Sequence, residues 1–310
     1  MRRALMARLI AILGFSGALV GCSWIFELGG QPPPGNTPTF NAEREKAEIA
    51  SLLDSEAYRP FFEPSKLVND GVGIFSGGGD SSDELPRRWG RSYPKTIQAV
   101  GSVVEQMTID FRTDAGRQLT AEATFTQSRA ARFVADYAWQ NKFVTKPYTE
   151  TALRSARLIK RAGNWELDAL SPMALTPKNP KLAITMVRLK VDGQPSLMIQ
   201  PGERIASALA PQVSPGAQAR VEVKVEGKSG GASSTPVWTF MSRPPLREHV
   251  PLKDEGNGLY SGTFTFPQTP GWGHLVIDAV SDDTFTDLVN GTYDATVWGV
   301  SYLVLGGDAR

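Results

Sequence analysis

Apolar and polar positions recur with two different periods along this chain. Residues 41–58, "NAEREKAEIASLLDSEAY", place Ile49, Leu52, Leu53 and Ala57 at helical spacing, with charges on the other side. Asn41 stands at the N-cap position, and Pro60 closes the helix. From residue 95 the period becomes two. "KTIQAVGSVVEQMTIDFRTDAGRQLTAEATF" predicts two strands joined by a turn at "TDAG", with Leu119, Ala121, Ala123 and Phe125 on one face. "AARFVADYAW" predicts another strand. "RSARLIKRAGNWELDALSP", 154–172, predicts a hairpin turning at Ala162-Gly163-Asn164. Trp165, Leu167 and Ala169 then share one face, and Glu166 and Asp168 the other.

"TPKNPKL", 176–182, is polar, carries two prolines and reads as a linker. Beyond it lie strand candidates at 183–191, 217–227, 235–242, 258–267, 273–282 and 295–305, with short edge strands at 196–199 and 247–252. Val221, Val223 and Val225 alternate with Glu222, Lys224 and Glu226. Short strands at turn-like intervals predict an all-β sandwich over 183–306. The glycine, aspartate and serine stretch at 69–87 reads as an exposed loop.

The first forty residues follow neither period. Arg2, Arg3 and Arg8 precede an uncharged apolar run, Leu9 to Val20, which is shorter than the roughly 20 residues of a spanning helix. With Gly21 after it, this is an export signal over 1–21. Leu19-Val20-Gly21-Cys22 resembles the bacterial lipobox. That resemblance implies lipidation of the Cys22 thiol, cleavage before it and acylation of the new amino terminus. Two acyl chains anchor stably, because each buried CH₂ contributes about 0.8 kcal/mol. An ordinary secretory signal with a chance cysteine, or an uncleaved anchor helix, is the other reading. Ser23, where an aspartate would retain the protein at the inner membrane, implies the outer membrane if the host has two. Residues 22–40 are then a lipidated cysteine and a tether; 23–40 carry four prolines and three glycines.

A leading helix, a long antiparallel sheet and the closing hairpin "WELDALSP" resemble the nuclear transport factor 2-like superfamily. The resemblance implies an α+β domain over 41–175 in which a curved sheet wraps around helices. One face of the strand bearing Arg154, Arg157, Lys160 and Arg161 would line its concavity. In the C-terminal part, Tyr260, Gly262, Phe264, Pro270, Gly271 and Trp272 match the turn-and-strand pattern of bacterial immunoglobulin-like and fibronectin type III-like domains. That resemblance implies a sandwich fold and no particular activity. The expected architecture is therefore two domains: an α+β curved antiparallel sheet with an N-terminal helix, then an immunoglobulin-like sandwich.

The 310 residues hold 33 basic and 32 acidic side chains. Removing 1–21 takes three arginines and no acid, so 30 basic residues face 32 acidic ones, a net of −2. Such a balance, with no basic cluster, argues against a nucleic-acid partner. One cysteine forms no internal disulfide, so apolar cores must hold the fold.

Candidate chemistry is sparse. Only His249 and His274 are present, without the ligand set of a zinc site, and both read as surface or turn residues. "SYPK", 92–95, and "KSG", 228–230, have the spacing of penicillin-recognising serine enzymes, but Pro94 breaks the helical turn that chemistry needs. "GGGDSS", 77–82, lacks the lysine of a phosphate loop. Arg157 opposite Asp168 is a candidate ligand-binding pair inside a pocket; cross-strand pairing on a solvated face is the competing reading. Asp282, Asp283 and Asp287 are candidate calcium ligands, though aspartate also favours turns. Trp139, Trp165, Trp238, Trp272 and Trp298 read as core anchors, or as a sugar platform where two are exposed together.

The resulting expectation is a non-catalytic envelope lipoprotein, without cofactor. It would be anchored in the membrane and present its domains to a protein or polysaccharide partner. Two alternatives stand beside it: a small-molecule or catalytic pocket inside the curved sheet, and a calcium-stabilised carbohydrate or adhesion module.

Overall fold

Strand-forming alternation dominates the structure from residue 88 onward, and helices are few. The computed structural model describes residues 40–64, 86, 88–93, 104–113, 118–137, 142–206, 210–227, 237–242, 249–288 and 293–306. The segments expected as export signal (1–21), tether (to residue 39) and nearly all of the 69–87 loop, with Cys22, Ser23 and Trp139, lie outside them. Among the described residues no helix is long and apolar enough to cross a membrane.

Helix α1 (Ala42–Leu53) buries Ile49 and Leu53, the positions its apolar spacing marks, and the single-turn α2 (Arg59–Phe62) buries Phe61 and Phe62. These side chains share a core with Ala121, Ala123, Phe125, Leu158 and Trp165 of the sheet. Glu45 fixes α1 in place: its buried carboxylate accepts from Lys160 Nζ and, at 2.8 Å, from Trp165 Nε1. The Lys160 hydrogen bond, against the opposing cost of burial, holds the Glu45 carboxyl down at about 2.

Strand β1 (Arg88–Ser92), β2 (Val104–Thr113), β3 (Leu119–Tyr137) and β4 (Lys142–Arg161) are antiparallel. At 19 and 20 residues, β3 and β4 are far longer than the usual five or six. The second strand expected around Leu119–Phe125 and the strand expected at "AARFVADYAW" are one continuous strand as far as Tyr137, since the odd positions of β3 from Ala121 to Tyr137 stay on the inner face or at its edge, while the turn expected at 113–116 falls mostly outside the described residues. Twist accumulates over such a length, and the sheet curls. One end of its inner face covers α1 and α2. The other meets Phe240, Val280 and Phe285.

The hairpin from β4 into β5 (Asn164–Leu170) turns through Ala162 at φ +48° and Gly163 at φ +87°, the pair of positive angles that a two-residue turn of matching twist requires. A bulge then offsets β5, so that Arg157 pairs Ala169 and Leu158 pairs Leu167.

Strand β6 (Met173–Pro177) changes the expected organisation. It pairs β4 on one side, Ala152 against Leu175, and on the other β17 (Ala295–Val304), Val297 against Leu175. A single twelve-stranded sheet therefore runs from β1 through β3, β4, β6, β17, β16 (Gly271–Ser281) and β12 (Val237–Ser242) to β13 (Val250–Pro251). The 176–182 segment, expected as a linker, is short and tied down. Lys178 N donates to Thr149 O at 3.1 Å, and Lys181 N to Asp294 Oδ1 at 2.9 Å. Residues 42–310 form one compact unit.

Strands β7 (Leu182–Val191), β8 (Leu197–Ile199), β11 (Gln218–Gly227), β14 (Lys253–Gly256) and β15 (Leu259–Thr265) make the second sheet, in the order β14-β15-β11-β7-β8. Its alternating valines, Val221, Val223 and Val225, meet Leu275, Ile277, Val300 and Tyr302 in one core. Short β9 (Ile205–Ala206) and β10 (Gln212–Val213) add to the edges of β5 and β17, and α3 (Asp282–Thr286) follows β16.

Candidate functional site

Three charged residues stand on the buried face of β4, four residues apart: Lys146, Glu150 and Arg154. Two of them are answered. Lys146 Nζ donates to the carbonyls of Thr284 at 2.7 Å and Asp287 at 2.6 Å, around the end of α3. Glu150 accepts from Arg129 Nε at 2.7 Å and from Tyr93 Oη at 2.9 Å. A second pair lies close by: Arg91 donates to Asp278 through two nitrogens, Nη1 at 2.7 Å, and its Nε donates to Tyr293 at 2.8 Å. Tyr148 stacks on Tyr293 at 3.8 Å between ring centres. This is a filled polar core that joins β1, β3 and β4 to β16.

Arg154 differs. Its guanidinium is as buried as that of Arg91, yet among the described residues no carboxylate pairs with it. Nε donates to Ser171 O at 2.9 Å, Nη1 to Phe61 O, and Nη2 to Ser301 Oγ at 2.7 Å. Nη1 also faces His274 Nε2 at 3.5 Å. Burial alone pushes the Arg154 pKa down to about 9, so it still carries its charge at neutral pH. Burial and the neighbouring Arg154 charge push the His274 ring down to about 3, which keeps it neutral.

A cavity of about 250 Å³ opens against this arginine. Ala57, Tyr58 and Phe61 form one wall, Leu167 and Leu170 of β5 another, and Ile205 and Ala210 a third; Arg154, Ser171 and Ser301 supply the polar patch. Trp272, half-exposed, borders it and packs edge-on against Phe61 at 5.1 Å. An apolar chamber with a few convergent polar groups is the usual form of a small-molecule site. Ser301 Oγ accepts from Arg154 Nη2 at 2.7 Å, and Ser171 Oγ donates to Pro172 O at 3.0 Å.

The residues singled out from the sequence fall elsewhere. Arg157 and Asp168 do pair, Nε to Oδ2 at 2.6 Å, but on the outer face, where Arg157 is exposed, and neither borders the cavity. Parity explains the correction. Arg154 shares its side of β4 with Ala152, Ala156 and Leu158, all buried, whereas Arg157 points the other way. Asp282, Asp283 and Asp287 do not converge. Asp282 accepts from Trp238 Nε1 at 2.9 Å, Asp283 lies 3.7 Å from Lys181, and Asp287 turns its carbonyl to Lys146. No group of three or more possible metal ligands occurs among the described residues. Both histidines, expected at the surface, are buried: His274 beside Arg154, and His249 stacked on Trp89 at 4.0 Å. Trp272 alone is exposed among the described tryptophans, so they form no paired sugar platform. Comparison with protein-family models, curated proteins and solved structures finds no match.

Proposed function

We propose that this chain is a non-catalytic, lipid-anchored protein of the bacterial envelope that holds a small, largely apolar molecule in the cavity beside Arg154. In this reading residues 41–175 are a nuclear transport factor 2-like domain and 183–306 an immunoglobulin-like sandwich. The ligand sits where the two meet, and the tether presents them to a protein or polysaccharide partner. Cys22 carries the lipid, and Ser23 directs the protein to the outer membrane of a two-membrane host.

The cavity of about 250 Å³ is the observation that carries the binding function. An apolar cavity of about 150 Å³ already admits benzene, so a bicyclic aromatic fits. Calorimetry with indole, a neutral probe of that size, is expected to show saturable one-to-one binding. Ala210→Phe, which places a ring in the chamber, is expected to abolish it. Arg157→Ala, outside the chamber, is expected to bind as the native chain does. Unchanged binding by Ala210→Phe, or failure of the native chain to bind indole or any of the acids and amides of matching size, overturns the reading.

The anchor is tested separately. Cys22→Ser is expected to move the protein from the membrane to the soluble fraction and to stop incorporation of labelled palmitate. Membrane association in the variant, with no palmitate in either form, refutes lipidation.

A further inference from the structure

The other deeply buried arginines follow a rule that Arg154 breaks. Arg91 has Asp278, and Arg129 has Glu150, each within direct hydrogen-bond reach. Among the described residues Arg154 has only neutral acceptors: two carbonyls and a hydroxyl. A buried charge is normally compensated by an opposite one, since its desolvation is otherwise unrelieved. Arg154, without such a partner among the described residues, borders the cavity of about 250 Å³.

Resting on the reading of that cavity as a binding site, we propose that its occupant is a small monocarboxylate. The carboxylate would sit against Arg154, and an apolar body of about ten non-hydrogen atoms would fill the chamber. Three of the five guanidinium N–H donors are engaged by Ser171, Phe61 and Ser301, and a fourth faces His274, so the group is held in one orientation with donor capacity left over. A carboxylate accepts from the remaining N–H as a charge-assisted hydrogen bond. The count of charges selects a monoanion: one guanidinium neutralises one negative charge, and a phosphate dianion would leave a second buried without a partner. His274, neutral, offers no further positive charge. Leu167, Leu170 and Ile205 suit an apolar body, and the Phe61–Trp272 pair suits a flat one.

Acids and their isosteric amides separate this inference from the binding reading itself. The full chain carrying Cys22→Ser is titrated at pH 7.5 with trans-cinnamate and trans-cinnamamide, and with octanoate and octanamide. In at least one pair the acid is expected to bind at least about tenfold more tightly than the amide, because the added charge interaction is with a guanidinium nearly inaccessible to water. Arg154→Gln is expected to erase that preference and retain amide binding. The comparison on the native chain needs no variant, so it stands even if Arg154→Gln does not fold. Equal affinities of acid and amide in both pairs overturn the carboxylate assignment and leave the cavity reading intact. So does binding of indole by a chain that binds neither acid. Failure of all four compounds and of indole overturns both.

Discussion

Asp278→Asn is expected to lower the melting temperature by about 10 °C, because it leaves Arg91 charged, buried and without its carboxylate. Arg91 comes from β1 and Asp278 from β16, strands separated by 187 positions, and both side chains are nearly inaccessible to water. Removing one partner of a buried pair costs about 3–5 kcal/mol, since the other stays desolvated and uncompensated. For a unit of this size, 1 kcal/mol shifts the midpoint by about 2–4 °C. Trp89 and Phe240 pack around the same point, with Phe285 behind them, so the loss lands where the curled sheet meets β16 and α3. Arg91→Met combined with Asp278→Leu is expected to be less damaging than Asp278→Asn alone, because no charge then remains to be buried. Thermal and urea denaturation check both. A midpoint for Asp278→Asn within 2 °C of native on the scale above would show that the pair does not clamp the sheet.

Some of this architecture can be read in the residues, and the reasons for the rest are physical. Strand β11 announces itself because one of its sides is solvated, so Val221, Val223 and Val225 alternate with charges. In β17 the pattern disappears. Nearly every residue from Ala295 to Val304 is buried, since both faces of that strand are covered, and only its continuous apolar run marks it. Strand β6 is hidden by its flanking prolines, Pro172 and Pro177, which read as punctuation. Yet Met173 and Leu175 are both buried, and the strand stitches two halves of one sheet. The cavity could not be read at all, because its walls come from segments between Ala57 and Ser301. Its key residue could have been. In "ALRSARL" Arg154 falls in step with Ala152, Ala156 and Leu158, so strict alternation puts it on the apolar face. A charge in step with a buried row is a better guide to a site than the most conspicuous ion pair, which on this strand is the solvated Arg157–Asp168.

The melting temperature is also expected to fall by about 10 °C between pH 7.5 and pH 5, driven by the two histidines. In the folded chain burial first, and Arg91 charge second, push His249 down to about 4, even though Asp278 pulls the other way. Burial and Arg154 take His274 down to about 3. Both rings titrate near 6.5 when unfolded. Above that value both states are neutral, and pH has no leverage through these groups. Below it the unfolded chain takes up protons that the folded chain refuses, so stability is lost steadily until the folded pKa is reached. By pH 5 each ring has cost about 2 kcal/mol, about 4 kcal/mol together, and the conversion used above gives the shift. Glu45, lowered from 4.5 to about 2, loses its contribution only below this window. Asp294, whose carboxyl burial raises, acts in the opposite direction. His249→Phe with His274→Gln removes both titrations: the aromatic stack on Trp89 is kept, and Arg154 Nη1 keeps an acceptor. The double variant is expected to be less stable at pH 7.5 but nearly flat from there to pH 5. A native chain whose midpoint does not move over that range, or a double variant with the native slope, would show that these rings are not buried as neutral groups.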